Sequence, residues 1–147
     1  MAEWRSPLLP PEGGVPPEAG RGVSLVDESH LQKWRTWDDP GEVDGLVLSV
    51  SPGEWIVVGD RPPGDDVVDI THVRAALRLT RPDAAGVLVH LCALDLGDLP
   101  DGAAVRTLVA GVATEIARDD LDGVPSYVLL MSRSFARSLQ ERLTEIT

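Results

Sequence analysis

The sequence has one cysteine, one lysine and six aromatic residues in 147 positions. A single Cys92 excludes an internal disulfide and a cysteine-rich metal centre. It lies in an apolar stretch and reads as an inert, buried thiol. Positive charge is scarce: 13 Lys+Arg face 24 Asp+Glu, a formal net charge of −11. Phosphate-rich partners repel such a surface, so non-specific binding to nucleic acid or to an anionic membrane is not expected, although a local basic patch remains open. No apolar run approaches the roughly 18 residues of a membrane span. No basic segment followed by an apolar one marks a signal peptide, so the expected setting is the cytoplasm.

What remains is enough for a core. Hydrophobic residues make up 43% of the chain. With so few aromatics, four of them Trp, the interior must be built mainly of Val, Leu, Ile and Ala. The length suits one domain. Residues 1–22 hold Pro7, Pro10, Pro11, Pro16 and Pro17 among several glycines. That composition forms neither a helix nor a central strand, so this arm is expected to be disordered or laid in extended form along a partner. Trp4, Leu8 and Leu9 within it favour docking.

Residues 23–37 read as extended, ending in Leu31, Trp34 and Trp37. Residues 46–50 and 55–58 are short Val-rich runs around Ser51-Pro52-Gly53-Glu54, which places Pro and Gly for a tight turn. This spacing predicts a β-hairpin. Residues 60–66 form a loop and the best internal boundary. Residues 67–80 read as one long strand with Val73, Ala75, Leu77 and Leu79 on one face. Pro82 opens a helix carrying Val87, Leu88, Leu91 and Cys92 at helical spacing and ending near residues 95–97. Residues 105–117 read as a strand, and 127–131 as another. Ser132 or Ser134 caps a last helix whose Phe135, Leu139, Leu143 and Ile146 share a face. The order β-α-β-β-α over about residues 67–147 predicts an α+β, ferredoxin-like half. Residues 23–60 supply a reduced, mostly β first half of the same domain, 23–147.

Candidate chemistry is thin. His30, His72 and His90 fall on different elements, with no metal-ligand spacing. The acidic pairs at 38–39, 65–66 and 119–120 fall in turns, where solvated turn formers are the usual outcome. No nucleophile elbow, dinucleotide fingerprint or phosphate loop occurs. Lys33 and Arg35 interleave with Trp34 and Trp37, a pattern that could stack bases; the charge balance instead favours aromatic packing on the domain or on a partner. Arg133 and Arg137 near the start of the last helix oppose its dipole unless an acidic partner neutralises them.

The order of motifs resembles a known family. Arg5-Ser6-Pro7-Leu8, Ser51-Pro52-Gly53-Glu54-Trp55-Ile56-Val57-Val58 and Val68-Asp69-Ile70-Thr71-His72 come first. Ala76-Leu77-Arg78-Leu79-Thr80, Pro82-Asp83, Cys92-Ala93-Leu94-Asp95-Leu96, Arg106-Thr107-Leu108, Ala110-Gly111-Val112 and Arg133-Ser134-Phe135-Ala136 follow. The series resembles the gamma subunit of heterotetrameric sarcosine oxidases. Residues 67–146 are also similar to part of the folate-binding domain of glycine-cleavage aminomethyltransferases.

The resemblance implies a subunit of a complex that oxidises sarcosine to glycine and peroxide and passes the one-carbon unit to tetrahydrofolate. It places FAD, FMN, NAD and folate chemistry on larger alpha and beta subunits, and zinc on a small delta subunit. It leaves the gamma subunit structural, with no cofactor or metal of its own. No catalytic or folate-contacting position carries over. One departure stands out. The family usually has helices where this chain has only residues 38–44 and 59–66. The first half is therefore expected to expose an apolar sheet face that a partner must cover. Trp4, Arg5, Leu8, Leu9, Trp34, Trp37, Trp55, Arg133 and Arg137 are the expected interface residues. Two other readings stay open: a free-standing folate-binding one-carbon enzyme, and an unrelated adaptor sharing the fold.

Overall fold

A computed structural model describes residues 24–146. It is α+β, with two antiparallel sheets and few helices. The strands are β1 (Ser24–Asp27), β2 (Lys33–Thr36), β3 (Gly45–Ser51), β4 (Glu54–Gly59), β5 (Val67–Asp69), β6 (Arg74–Thr80), β7 (Ala104–Val109), β8 (Val112–Arg118) and β9 (Ser126–Ser132). The helices are α1 (Ala84–Leu88) and α2 (Ala136–Ile146). One sheet has the order β1-β6-β9-β8-β7 and the other β3-β4-β2-β5.

Alternation along β6 and β9 sorts side chains into two cores. Ala75, Leu77 and Leu79 of β6, with Tyr127, Leu129 and Met131 of β9, pack with Val87 and Leu88 of α1 and Leu139 and Leu143 of α2. The intervening Ala76, Val128 and Leu130, with Ala117 of β8, pack on Leu48, Ile56 and Val58 of the second sheet. The molecule is thus three layers: helices, five-stranded sheet, four-stranded sheet. The small Ala76 and Ala117 let the two sheets approach closely. The five-stranded sheet thus covers one face of the first half, and on the other face, where an open apolar surface was one expectation, Trp34 and Val57 are buried as well.

The hairpin at residues 45–59 forms as the turn sequence requires, with Gly53 at φ +76°. The strand expected over residues 67–80 is instead two strands in different sheets. Asp69 accepts a hydrogen bond from the Thr71 backbone N–H (2.9 Å), and Ile70 O accepts from the N–H groups of Val73 and Arg74. This local turn carries the chain from the second sheet to the first. β5 therefore pairs with β2, while β1 pairs with β6, so the two halves exchange strands.

The strand expected over residues 105–117 is a hairpin. Its two-residue turn, Ala110 (φ +50°) and Gly111 (φ +80°), has the double positive φ that matches strand twist. The second half therefore reads β-α-β-β-β-α. The helix expected to run past Cys92 is shorter. Gly86 and two valines weaken it, and Leu91 and Cys92 turn to pair with Ala110 and Val109 at the edge of β7. At the last helix neither serine makes a capping bond: the Ser132 and Ser134 hydroxyls bond each other (2.9 Å), and the chain enters α2 through the 3₁₀ turn Arg133–Phe135. The buried face of α2 is Ala136, Leu139 and Leu143, and Phe135 and Ile146 are exposed.

Candidate partner interface

The sheet registers place the tryptophans. Trp34 lies opposite Val57, and Thr36 lies opposite Trp55. Positions 34, 36, 55 and 57 thus share the face of the four-stranded sheet that points away from the five-stranded one. Trp34 is only 6% exposed and Trp55 is half-buried. Trp37, just past β2, is 56% exposed. Arg133 and Arg137 are both exposed, on the helical side of the molecule. The expected interface residues therefore divide between the two outer layers. Trp4, Arg5, Leu8 and Leu9 lie outside the described residues.

The polar groups between the sheets are largely committed to one another. Glu115, buried on β8, accepts two bonds of 2.8 Å from Arg74 Nη2 of β6, and Arg106 Nε stands 3.7 Å away. Arg106 also donates to Glu54 (3.2 Å), whose carboxylate lies 3.3 Å from Arg35 Nε. Burial pushes the Glu115 carboxyl above the usual carboxylate range, and these arginines oppose that push. At the other end of the layer Arg78 donates to Glu28 (2.6 Å), to Asp119 Oδ2 (2.8 Å) and to Ser126 Oγ (2.8 Å). Arg118 donates to Asp120 (3.0 Å), and this bond holds the Asp120 carboxyl below its ordinary value. The acidic pair at 119–120 is therefore structural, whereas the pairs at 38–39 and 65–66 are exposed as expected.

Lys33 is fully buried. Its Nζ donates to Ser29 O (2.9 Å) and Leu31 O (2.6 Å), clamping the turn between β1 and β2. Desolvation lowers its pKa to about 8, against the fields of Asp27, Glu28 and Asp69. A buried lysine of depressed pKa can serve as a base or nucleophile when it faces a substrate cavity. Here the amine faces two backbone carbonyls.

A cleft of about 240 Å³ opens between the sheets, walled by Leu31, Leu46, Val58 and Val128 with Glu28, Arg78 and Asp119. Its one cation is already saturated by the two carboxylates, and it is smaller than the roughly 300 Å³ at which ligand pockets begin. His30, His72 and His90 are all at the surface. Among the described residues no three His, Cys, Asp or Glu side chains gather to hold a metal, and no helix is long and apolar enough to cross a membrane. The arrangement can brace two sheets and present surfaces.

Sequence reasoning missed the inter-sheet ion pairs. Their signal was an inward-facing charge within an alternating strand: Arg74 and Arg78 on β6, and Glu115 opposite Arg106 in the β7–β8 hairpin.

No protein-family model matches the sequence, and no curated protein matches it significantly. Solved structures do match, in 18 chains. One is a chain of heterotetrameric sarcosine oxidase from Corynebacterium sp. U-96, in complex with pyrrole 2-carboxylate. The likeness has a TM-score of 0.69 at 20% identity and covers 84% of this chain and 83% of that one. At this identity the likeness is one of fold.

Proposed function

We propose that this chain is a small, non-catalytic, gamma-type subunit of a multisubunit flavin-dependent amine oxidase of the sarcosine oxidase type, working in the cytoplasm. The observation that carries the reading is the shared fold with a chain of a heterotetrameric sarcosine oxidase, over more than four-fifths of both chains. The commitment of the inter-sheet charges to structure supports a role without chemistry of its own. In this reading larger alpha and beta subunits hold FAD, FMN, NAD and tetrahydrofolate, a small delta subunit holds zinc, and this chain braces them.

The test is purification of the tagged full-length chain from the cells that make it. Stoichiometric recovery of a flavin-absorbing complex that oxidises sarcosine or a related secondary amine is the expected result. A monodisperse monomer that binds tetrahydrofolate and recovers no flavoprotein would overturn the reading in favour of a free-standing one-carbon enzyme.

A further inference from the structure

The chain carries one turn twice. Val26-Asp27-Glu28-Ser29-His30-Leu31 and Val68-Asp69-Ile70-Thr71-His72-Val73 share Val, Asp and His, with a hydroxyl residue before the His and a branched aliphatic after it. Each turn crosses between the sheets: the first leaves the five-stranded sheet for the four-stranded one, and the second returns. Their bonds repeat as closely as their residues. In the first turn Asp27 accepts from the Ser29 N–H (2.9 Å) and Glu28 O from the Leu31 N–H (3.0 Å). In the second Asp69 accepts from the Thr71 N–H (2.9 Å) and Ile70 O from the Val73 N–H (3.0 Å).

Each turn also grips the strand that follows the other one. Glu28 N–H donates to Ala76 O of β6 (2.9 Å), Ala76 N–H donates to Ser29 Oγ (3.0 Å), and the Ser29 hydroxyl returns to Ala76 O (3.3 Å). Ile70 N–H donates to Lys33 O of β2 (2.9 Å), Lys33 N–H donates to Thr71 Oγ1 (2.9 Å), and the Thr71 hydroxyl returns to Lys33 O (3.4 Å). In an antiparallel ladder the N–H and C=O of one residue pair with the same neighbour. The two hydroxyls therefore stand in for the next strand residue where β1 and β5 turn away, and each extends its ladder by one step. Both are buried, so losing either leaves a backbone N–H without its partner away from water.

Lys33 joins the two turns. Its backbone is the seat of Thr71, and its Nζ folds back onto Ser29 O and Leu31 O of the first turn. An unbroken run of bonds leads from Ala76 of β6 through Ser29 to Lys33 of β2, and on to Thr71 and Asp69. We infer that the two turns are halves of a reciprocal latch, a conformational device that releases β1 and β5 together or not at all. When β1 leaves β6, Ser29 loses Ala76 and Lys33 Nζ loses the seated turn. Lys33, the first residue of β2, is then no longer held where Thr71 caps it. The same path runs in reverse from β5. These are edge strands of four and three residues, of a kind that frays strand by strand unless something ties them. The latch concerns the chain's own cooperative unit and stands independently of the subunit reading.

Native-state hydrogen exchange of the full-length chain, followed by NMR, reads the latch at the amides of Glu28, Ala76, Ile70 and Lys33. Ser29→Ala is expected to speed exchange about tenfold at Lys33 and Ile70, on the far clasp, as well as at Ala76 and Glu28. Thr71→Val should do the same in the other direction. The double variant should exchange little faster than either single one, because one missing hydroxyl already opens the latch. Thr71→Ser keeps the hydroxyl and should restore the wild-type rates. Amides of the β7–β8 hairpin, on the opposite edge of the five-stranded sheet, should keep theirs. In the wild type under rising urea, the four latch amides should share one opening free energy, lower than that of the hairpin.

Acceleration confined to the two amides that the altered hydroxyl serves, with effects that multiply in the double variant, overturns the inference. Equal acceleration in the β7–β8 hairpin overturns it too, since that marks general loosening. Two separate urea isotherms, one for Glu28 with Ala76 and one for Ile70 with Lys33, overturn it without any substitution, as does opening of all four only together with the hairpin. A variant that fails to fold therefore leaves the test intact.

Discussion

Lys33 is the only lysine, so its titration can be followed without ambiguity. A lowered pKa in the folded state means that the unfolded chain binds the extra proton more tightly. Between about 8 and the unfolded value of 10.5 the unfolded state therefore holds more protons. Stability must rise with pH across that window, is fully present above it, and is lost as pH falls through the folded value. A change from 10.5 to about 8 corresponds to at most about 3 kcal/mol. Solvent relaxation around the turn reduces the expected gain to about 1–2 kcal/mol.

A neutral amine still has two N–H groups, enough for both Ser29 O and Leu31 O. Losing the proton thus removes a desolvated charge and keeps the clamp. Lys33→Met keeps the length of the side chain and removes both. It leaves two carbonyls without their donor, a cost of about 1–3 kcal/mol near pH 7, where removal of the buried charge partly offsets it. Urea denaturation at intervals from pH 7 to 9.5 should show wild-type stability rising relative to Lys33→Met. The pH range stops short of tyrosine ionisation, since burial holds the Tyr127 hydroxyl above its ordinary value. The Nζ resonance in nitrogen-15 NMR gives the pKa directly. Parallel pH profiles for the two proteins, or a lysine titrating at 10 or above, would refute the reasoning.

Two further outcomes follow from the geometry. Glu115→Ala leaves Arg74 facing the inter-sheet layer without its carboxylate, while Arg106 keeps Glu54, and should cost about 2–4 kcal/mol, whereas the paired change Glu115→Leu with Arg74→Met should be near neutral. A double-mutant cycle by urea denaturation checks this, and equal losses in single and double variants would contradict it. Gly111→Ala and Gly86→Ala should move stability in opposite directions, because an added Cβ meets open space at both. Gly111 sits at positive φ and should lose about 1 kcal/mol or more, while Gly86 lies within α1 and should gain about 0.5–1 kcal/mol. Thermal melts distinguish the two signs.

The sequence carried local geometry well and junctions poorly. The turn at Pro52–Gly53 was legible because the residues that permit it are chemically specific. Ala110–Gly111 was not, since alanine at φ +50° is not a turn former by habit and the apolar alternation continues through it. The break after Asp69 rests on a side chain capturing its own backbone and on a change of sheet, and neither shows in a hydrophobic period. The helix face was misread at its ends, because Phe135 and Ile146 fit the spacing but lie beyond the turns that touch the sheet. Of the interface residues, pattern alone grouped the tryptophans, whereas strand register turns Trp34 and Trp55 to one face and leaves Trp37 past the strand end.

The same registers decide what fills the layer between the two sheets. Along β6 the inward positions run Arg74, Ala76, Arg78: a methyl group between two guanidinium groups. The methyl lets the sheets pack, and each guanidinium recruits carboxylates, Glu115 at one end of the layer and Glu28 with Asp119 at the other, where they wall the cleft. Buried pairs of this kind add little net stability over apolar packing. They do fix how one sheet sits on the other, since a one-residue slip of β6 would turn both arginines out of the layer. A layer fixed in this way commits most of its charges to holding the two sheets in register. Outward on the four-stranded sheet Trp34, Thr36 and Val57 are buried, and Trp37, past the end of β2, is the well-exposed tryptophan among the described residues. With its inter-sheet charges tied up in this way, the layer meets what the bracing role proposed above requires of it.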